Sequence, residues 1–426
     1  MAIKICDAIM GSGKTSAVIA MMNSNPNKKY LYITPLLSEA DRIVKSCPEL
    51  HFTTPSDKIP KYGFKKQTHL QELIKEGHNI AITHTLFKYS TQETISLMSG
   101  NNYTIIIDEV VDVLEPVNIL DGDYTVLESA GLIVENESGD GTYSVAKKIL
   151  NRSRYKDLSA FAESNKLAIL QNDSESVYYW TLAKELFEIS ENTYILTYMF
   201  DSQILKWYFD LNKIEYEYIY INKDQYSNYS FTDKLSYIPA YVANLPSMIH
   251  IFENKKLNEI GHNKNALSCS WFDRALQNRK DGRIDKLKRN LSNYFRNYHS
   301  DIPSDERMWG SFKKATPKLR DKGYLRSDVE YNCKATNIYS HKRVLAYCVN
   351  IFLRPQEKIY FSQHSVNIDE NGYALSVMLQ WIWRSAIRDG QEIWIYIPSK
   401  RMRNLLQNWI EDTQKQYCEL NQRKVA

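Results

Sequence analysis

Residues that interrupt regular structure are few in this chain. Of 426 residues only 15 are glycine and 12 proline, which excludes collagen-like and low-complexity linker architectures and implies long stretches of helix and strand. Cysteine is also scarce. The six, at 6, 47, 269, 333, 348 and 418, form no C-x-x-C pair and no Cys/His cluster, so neither a zinc site nor a disulfide framework is expected. Long apolar runs are missing too: stretches such as Tyr103–Asp108 fall far short of the ~20 residues that span a bilayer, and no membrane partner is expected. Net charge is small, with 54 Lys and Arg against 50 Asp and Glu leaving +4, too little to mark a nucleic-acid protein by itself.

What is present describes a globular chain. Hydrophobic residues make up 43% and charged residues 24%, which excludes disorder. At roughly 100 to 200 residues per domain the length predicts two or three packed units. Met1–Cys6 run straight into a glycine-containing loop, leaving no room for a leader peptide, so a cytoplasmic location is expected. Charge is unevenly spread. Arg274–Arg326 holds fifteen Lys and Arg against six Asp and Glu, interleaved with Tyr294, Phe295, Tyr298, Trp309 and Phe312. Cations with stacking surface suit single-stranded nucleic acid; the competing reading is a solvated helix face with its aromatics turned into a core. Ile105–Ala146, by contrast, has no Lys or Arg and ten acids, and should lie away from any bound phosphate chain.

The first 110 residues alternate apolar strands (Ile3–Ile9, Tyr30–Pro35, Asn79–His84, Thr104–Glu109) with helical stretches, the pattern of a parallel sheet with crossover helices in an α/β fold. From Leu114 to about Ser190 turn signals and helical patterns, notably Glu175–Ile189, predict an insertion, after which Tyr194–Met199 returns to the sheet. The expected division is a first domain over 1–200, with its insertion at about 115–190, and a second over 201–426. The second is predicted to contain strands at Tyr218–Ile221, Met248–Phe252, Lys358–Ser362 and Glu392–Pro398, a basic helical segment at 274–326, and a helix across Leu375–Arg388.

Between the first strand and the first helix lies Asp7-Ala8-Ile9-Met10-Gly11-Ser12-Gly13-Lys14-Thr15-Ser16. Glycines at 11 and 13 let successive N–H groups, with Ser12 and the helix start at Thr15 and Ser16, cradle phosphate oxygens. Lys14 suits the β- and γ-phosphates of ATP, and the Thr15 hydroxyl suits Mg²⁺. Ile105–Glu109 is an apolar strand ending in two acids, with Asp108 placed to hold Mg²⁺ and Glu109 to orient and deprotonate the attacking water. Asp112 and Glu115 are expected to face solvent.

With these residues in view, the chain resembles the superfamily 2 DEAD/DEAH-like helicases and translocases, especially phage-encoded members. Thr34-Pro35-Leu36-Leu37 and Thr83-His84-Thr85-Leu86-Phe87 resemble that family's first two backbone-contacting motifs, and Leu196-Thr197-Tyr198 stands where it couples hydrolysis to strand movement. Lys334-Ala335-Thr336-Asn337 is similar to a second-domain nucleic-acid motif, and Gln380-Trp381-Ile382-Trp383-Arg384-Ser385-Ala386-Ile387-Arg388 to the closing motif whose Gln and Arg residues face the nucleotide. The closing motif departs from the family pattern, with Trp383 in place of glycine and one extra residue before Arg388, so either Arg384 or Arg388 fits the finger role. The upstream adenine-reading motif of the RNA helicases has no place before Asp7, which favours DNA over RNA.

The resemblance implies two tandem RecA-like domains, ATP and Mg²⁺ as cofactors, and ATP-driven movement along single-stranded or forked DNA in phage replication or recombination, with replication proteins as partners. Competing readings are an ATP-regulated DNA-binding replication factor that does not unwind, and a packaging-type motor. On the residues alone, Arg384 and Arg388 also read as i, i+4 cations on one helix, and Trp381, Trp383 and Trp394 as core. His84 reads as a structural histidine, and Lys400, Arg401 and Arg403 as a solvated helix start or a phosphate contact.

Overall fold

In the computed structural model the residues described are 2–63, 65–117, 119, 122–136, 142–145, 166–172, 175–278, 280–333 and 338–425. They form a mixed α/β protein with parallel sheets. The chain divides into two units: the first holds Met1–Ala8, Gly13–Leu235 and Arg354–Ile368, and the second Ile9–Ser12, Ser236–Leu353 and Asp369–Ala426.

In the first unit, β1 (Ala2–Asp7), β2 (Lys29–Thr34), β3 (Ile80–Thr83) and β4 (Tyr103–Asp108) alternate with α1 (Lys14–Asn23), α2 (Leu37–Ser46), α3 (Lys66–Lys75), α4 (His84–Lys88) and α5 (Gln92–Ser99). After β4 the chain departs into a five-stranded antiparallel sheet made of β5 (Leu114–Val117), β6 (Ile133–Glu135), β7 (Thr142–Val145), β8 (Lys166–Asn172) and β9 (Glu175–Thr181), in the order β5-β9-β8-β7-β6. It returns as β10 (Asn192–Thr197), β11 (Glu217–Lys223) and β12 (Tyr229–Thr232), completing a main sheet of order β12-β11-β1-β10-β4-β2-β3. All its pairings are parallel except β11 with β12. The central strands are apolar almost without interruption, and Ile5, Leu31, Ile33, Ile105, Ile107 and Ile195 are fully buried, as parallel strands covered on both faces require.

The second unit carries a smaller, wholly parallel sheet of order β13-β16-β15-β14, from β13 (Ile249–Ile251), β14 (Arg307–Gly310), β15 (Val344–Tyr347) and β16 (Ile393–Tyr396). Its core is aromatic: Phe272, Tyr294, Phe295, Trp309, Tyr324 and Tyr396 are all buried. No described helix is long and apolar enough to cross a membrane.

Several sequence expectations are corrected. Tyr218–Ile221 lies on β11 and pairs with β1, so the main sheet runs past residue 200 and the second unit's main body starts at Ser236. Lys358–Ser362 is helical, within Pro355–Gln363, and belongs to the first unit. Pro355 opens that helix, and the Glu357 carboxylate accepts from the Arg354 N–H at 3.2 Å, a start that apolar content alone conceals. The predicted helix over Glu175–Ile189 is instead β9 followed by the short helix Glu185–Glu188, because the bulky run Val177–Thr181 pairs along β8. The helix expected to reach Arg388 stops at Ile382. Bonds from Arg384 N to Trp381 O and from Ser385 N to Ile382 O tighten its end, and Ala386–Asp389 is a 3-10 turn.

Candidate nucleotide site and strand groove

The site is built at the carboxyl ends of β1, β10, β4, β2 and β3, where parallel sheets present their loops. After β1 the backbone turns through left-handed positions at Gly11 (φ +73°) and Gly13 (φ +89°), and α1 starts at Lys14. A Cβ on Gly13 would lie 2.2 Å from the ring of Tyr229, so β12 packs directly on the loop. Ser12 is buried and its hydroxyl has no hydrogen-bond partner. Lys14 Nζ donates to the Ala8 carbonyl. Burial pushes its ammonium below the ordinary lysine range, against the pull of Cys6, Asp7, Glu109 and Asp108.

Next to the loop, the last carbonyls of β10 hold both halves of the site. Thr197 O accepts from Ala8 N at 3.0 Å, and Leu196 O accepts from Glu109 N at 2.9 Å. Asp7 receives the N–H groups of Met199 (2.7 Å) and Phe200 (2.8 Å), which fixes the turn after β10. Glu109 takes a left-handed backbone, φ +65°, a conformation that costs an ordinary residue free energy and is found at functional positions. Burial, then the adjacent Glu109, pushes the Asp108 carboxyl up to about 6, against the lowering influence of the Tyr32 hydroxyl and Lys14. A carboxylate held this way is stabilised by an arriving cation. The half-exposed Thr15 hydroxyl and the Asp108 carboxylate are oxygen donors of the kind that magnesium takes, and the unpartnered Ser12 hydroxyl and glycine-lined turn are of the kind that suits phosphate. The residues present therefore fit both groups.

Around the ends of β2 and β3 lies a groove of about 530 Å³, lined by Leu37, Lys66, Gln67, Thr83, Thr85, Leu86, Tyr89 and Thr91. Thr83 caps α4 by accepting from Leu86 N at 3.3 Å. Thr34 is wholly buried with its hydroxyl unpartnered, Pro35 is half-buried, and Leu36 and Leu37 are exposed. His84 is buried and its Nε2 lies 2.9 Å from the Asp108 carbonyl, so it faces β4 as a structural histidine does. Glu115 is not simply solvated, because it pairs with Lys88 of α4; Asp112 is exposed. Sequence reasoning missed Tyr32, Tyr229, Lys66 and Tyr89, which lie in no recognisable motif.

In the second unit, Gln380 is half-buried on the last turn of the helix Glu370–Ile382, Arg384 is buried in the following turn, and Arg388 is exposed. Lys334, Thr336 and Asn337 lie outside the described residues. The basic segment separates its two chemistries: Tyr294, Phe295 and Trp309 are buried and only Tyr298, at 48%, is well exposed. The aromatics belong to the core, as the competing reading held. Several of its cations are paired within the fold, Arg283 with Asp281, Lys286 with Glu259, Lys314 with Asp273 and Arg320 with Asp328. Arg401 and Arg403 are structural clamps. Arg401 donates to Asn350 Oδ1 (2.9 Å), Ile351 O (2.7 Å) and Asn371 Oδ1 (3.0 Å) and stacks on Phe352, while Arg403 donates to Ile397 O at 2.8 Å.

Residues 243–410 match the family model of the YonV C-terminal Rossmann-like domain. The chain is 38% identical to the SPbeta prophage-derived uncharacterized protein YonV of Bacillus subtilis strain 168 over 415 residues, 96% of this chain and 99% of that protein. The chain belongs to the YonV family. The Rossmann-like domain that defines the YonV model contains β13 to β16 and the Gln380–Arg388 motif, while the phosphate loop and Asp108-Glu109 precede it. Among solved structures the chain is similar to Xpd4 of S. tokodaii, with 13% identity and a TM-score of 0.48 over 96% of this chain and 93% of that one. It is also similar to an XPD helicase, with 11% identity and a TM-score of 0.43 over 96% and 94%.

Proposed function

We propose that this YonV-family protein is an ATP hydrolase that moves along nucleic acid as a helicase or translocase, with DNA favoured, in phage replication or recombination. The observation that carries this reading is the convergence on β10 of the phosphate loop and the acidic pair, through Thr197 O to Ala8 and Leu196 O to Glu109. That convergence sets Lys14 in the field of Asp108 and Glu109. The prophage origin of the YonV relative supports the phage setting.

In this reading Gly11, Ser12, Gly13 and Ser16 cradle the phosphates, Lys14 neutralises the transferred group, and Thr15 with Asp108 would hold magnesium, which when bound offsets charge on the phosphate oxygens. Glu109 takes a proton from the attacking water. Gln380 and one of Arg384 and Arg388 serve the transition state, whose developing charge a cation stabilises. The strand is held by Thr83 in the groove and by the half-buried Pro35, with Lys66 offering charge to a phosphate and Tyr89 an aromatic face to a base. Thr34, wholly buried at the end of β2, is out of a strand's reach, which corrects its expected role as a contact. Lys334, Thr336 and Asn337 are its second-unit contacts.

The test is ATP hydrolysis measured with and without single-stranded DNA, duplex DNA and RNA. Polynucleotide should raise the rate, and Glu109→Gln should lower kcat by at least roughly 10²-fold while leaving nucleotide binding intact. Equal rates under every condition would refute a translocation cycle.

A further inference from the structure

The strand groove and the acidic pair are served by the same two strand ends. Thr34 and Thr83, the last residues of β2 and β3, are register partners, and around them the groove takes in Thr83, Thr85 and Leu86 from the third strand's end and Leu37 from the second's. Each strand end also supplies one buried side chain, and both reach the same residue, Asp108. Tyr32, two positions before Thr34, donates its hydroxyl to Asp108 Oδ2 at 2.8 Å. His84, next to Thr83, sets Nε2 at 2.9 Å from the Asp108 main-chain carbonyl. A carbonyl oxygen only accepts, so in that bond Nε2 carries the proton. Both side chains are buried, Tyr32 at 0% and His84 at 8% exposure.

The connecting element is short. α4 is five residues long, with Thr85 and Leu86 on the groove and His84 and Phe87 buried behind them. Its first turn is capped by Thr83, and Lys88 at its end pairs with Glu115, beyond the acidic pair. A strand filling the groove therefore presses on a single turn whose far side holds the backbone of Asp108. Tyr32 meanwhile orients the carboxylate of that same residue. Buried hydrogen bonds of this kind have discrete arrangements rather than a continuous range, which lets a displacement at one end select an arrangement at the other.

We propose that Tyr32 and His84 are positioning residues that couple occupation of the groove by a nucleic-acid strand to the orientation of Asp108, and hence to nucleotide binding. This rests on the function proposed above and assigns the route by which polynucleotide acts on the nucleotide site. Coupling of this kind is reciprocal, so the strand and the nucleotide each tighten the other by the same factor.

The experiment reads binding rather than turnover. The affinity of the full-length protein for a fluorescent non-hydrolysable ATP analogue with Mg²⁺ is measured by anisotropy with and without an oligothymidylate, and oligothymidylate affinity is measured with and without the analogue. Wild type is expected to show a mutual enhancement of roughly tenfold, inside the usual 5- to 150-fold range. Tyr32→Phe, which keeps the ring and loses the hydroxyl, and His84→Leu, which loses the donor, should bring the factor within about twofold of unity while leaving oligothymidylate affinity alone unchanged. His84→Gln, which keeps a donor, should restore most of it. Wild-type coupling in both Tyr32→Phe and His84→Leu overturns the route while leaving the proposed function standing. Absence of coupling or of strand binding in wild type overturns both. If His84→Leu does not fold, the Tyr32→Phe result decides alone.

Discussion

Gly13 has no alternative among the coded residues. Its φ of +89° is open to glycine at little cost, and a methyl group there would meet the Tyr229 ring at 2.2 Å. Gly13→Ala is therefore expected to lose about 1–3 kcal/mol of stability in urea unfolding and to abolish analogue binding. Adding Tyr229→Ala should relieve the steric part and leave the backbone part, so the double variant recovers some stability. A Gly13→Ala protein as stable as wild type would show that the ring does not rest on the loop. The glycines, Lys14, Thr15 and the Asp108-Glu109 pair stood out in the sequence as candidates because a loop of this composition between strand and helix, followed by a strand ending in two acids, is a pattern of residue types and spacings. Tyr229 and Tyr32 did not. Tyrosine occurs 30 times, and nothing local distinguishes the one that meets Gly13 or the one that reaches Asp108 from another strand.

Among the elements, apolar strands between helices were legible in the first unit, as in β2, β4 and β10, whereas the wholly buried β15 was not expected and β14 lies in the segment expected to be helical. One failure came where a run of apolar residues was too short to fix its period. Lys358–Ser362 reads as a strand by its residues and folds as a helix because Pro355 and Glu357 start one. The start of the C-terminal helix Lys400–Val425 was ambiguous between solvent and phosphate, and the fold resolves it. Arg401 spans the turn after β15, where its guanidinium satisfies Asn350 Oδ1 and the Ile351 carbonyl, while Asn350 itself donates to the carbonyls of Lys264 and Ala266. Arg401→Ala leaves those acceptors without their donor and should cost about 2 kcal/mol or more. Arg401→Lys should recover little, since a single ammonium cannot match the planar fork. Chemical denaturation of both variants measures this, and a wild-type midpoint for Arg401→Lys would argue against the clamp.

For the whole molecule, the division into units was legible only in part. The phosphate loop and the closing motif mark two sheets, yet the chain passes back into the first unit at Arg354–Ile368 before finishing in the second. That return packs Phe361 against Trp207, with ring centroids 5.7 Å apart. A fragment of residues 1–235 should therefore be less stable than the first unit in the intact protein, with Trp207 fluorescence shifted to the red. Supplying a peptide of residues 354–368 should partly reverse the shift. A fragment that unfolds like the intact protein and ignores the peptide would show that the return contributes nothing.

The returning segment also limits how such genes can be shuffled. A single crossover near residue 235 would join one parent's first sheet to a foreign Pro355–Gln363 helix, so the hybrid would inherit a mismatched patch against Trp207. Exchange of a whole unit between homologous genes needs further breakpoints, flanking residues 354 to 368, and lineages that recombine freely should keep this short stretch in step with the amino-terminal half rather than with its immediate neighbours.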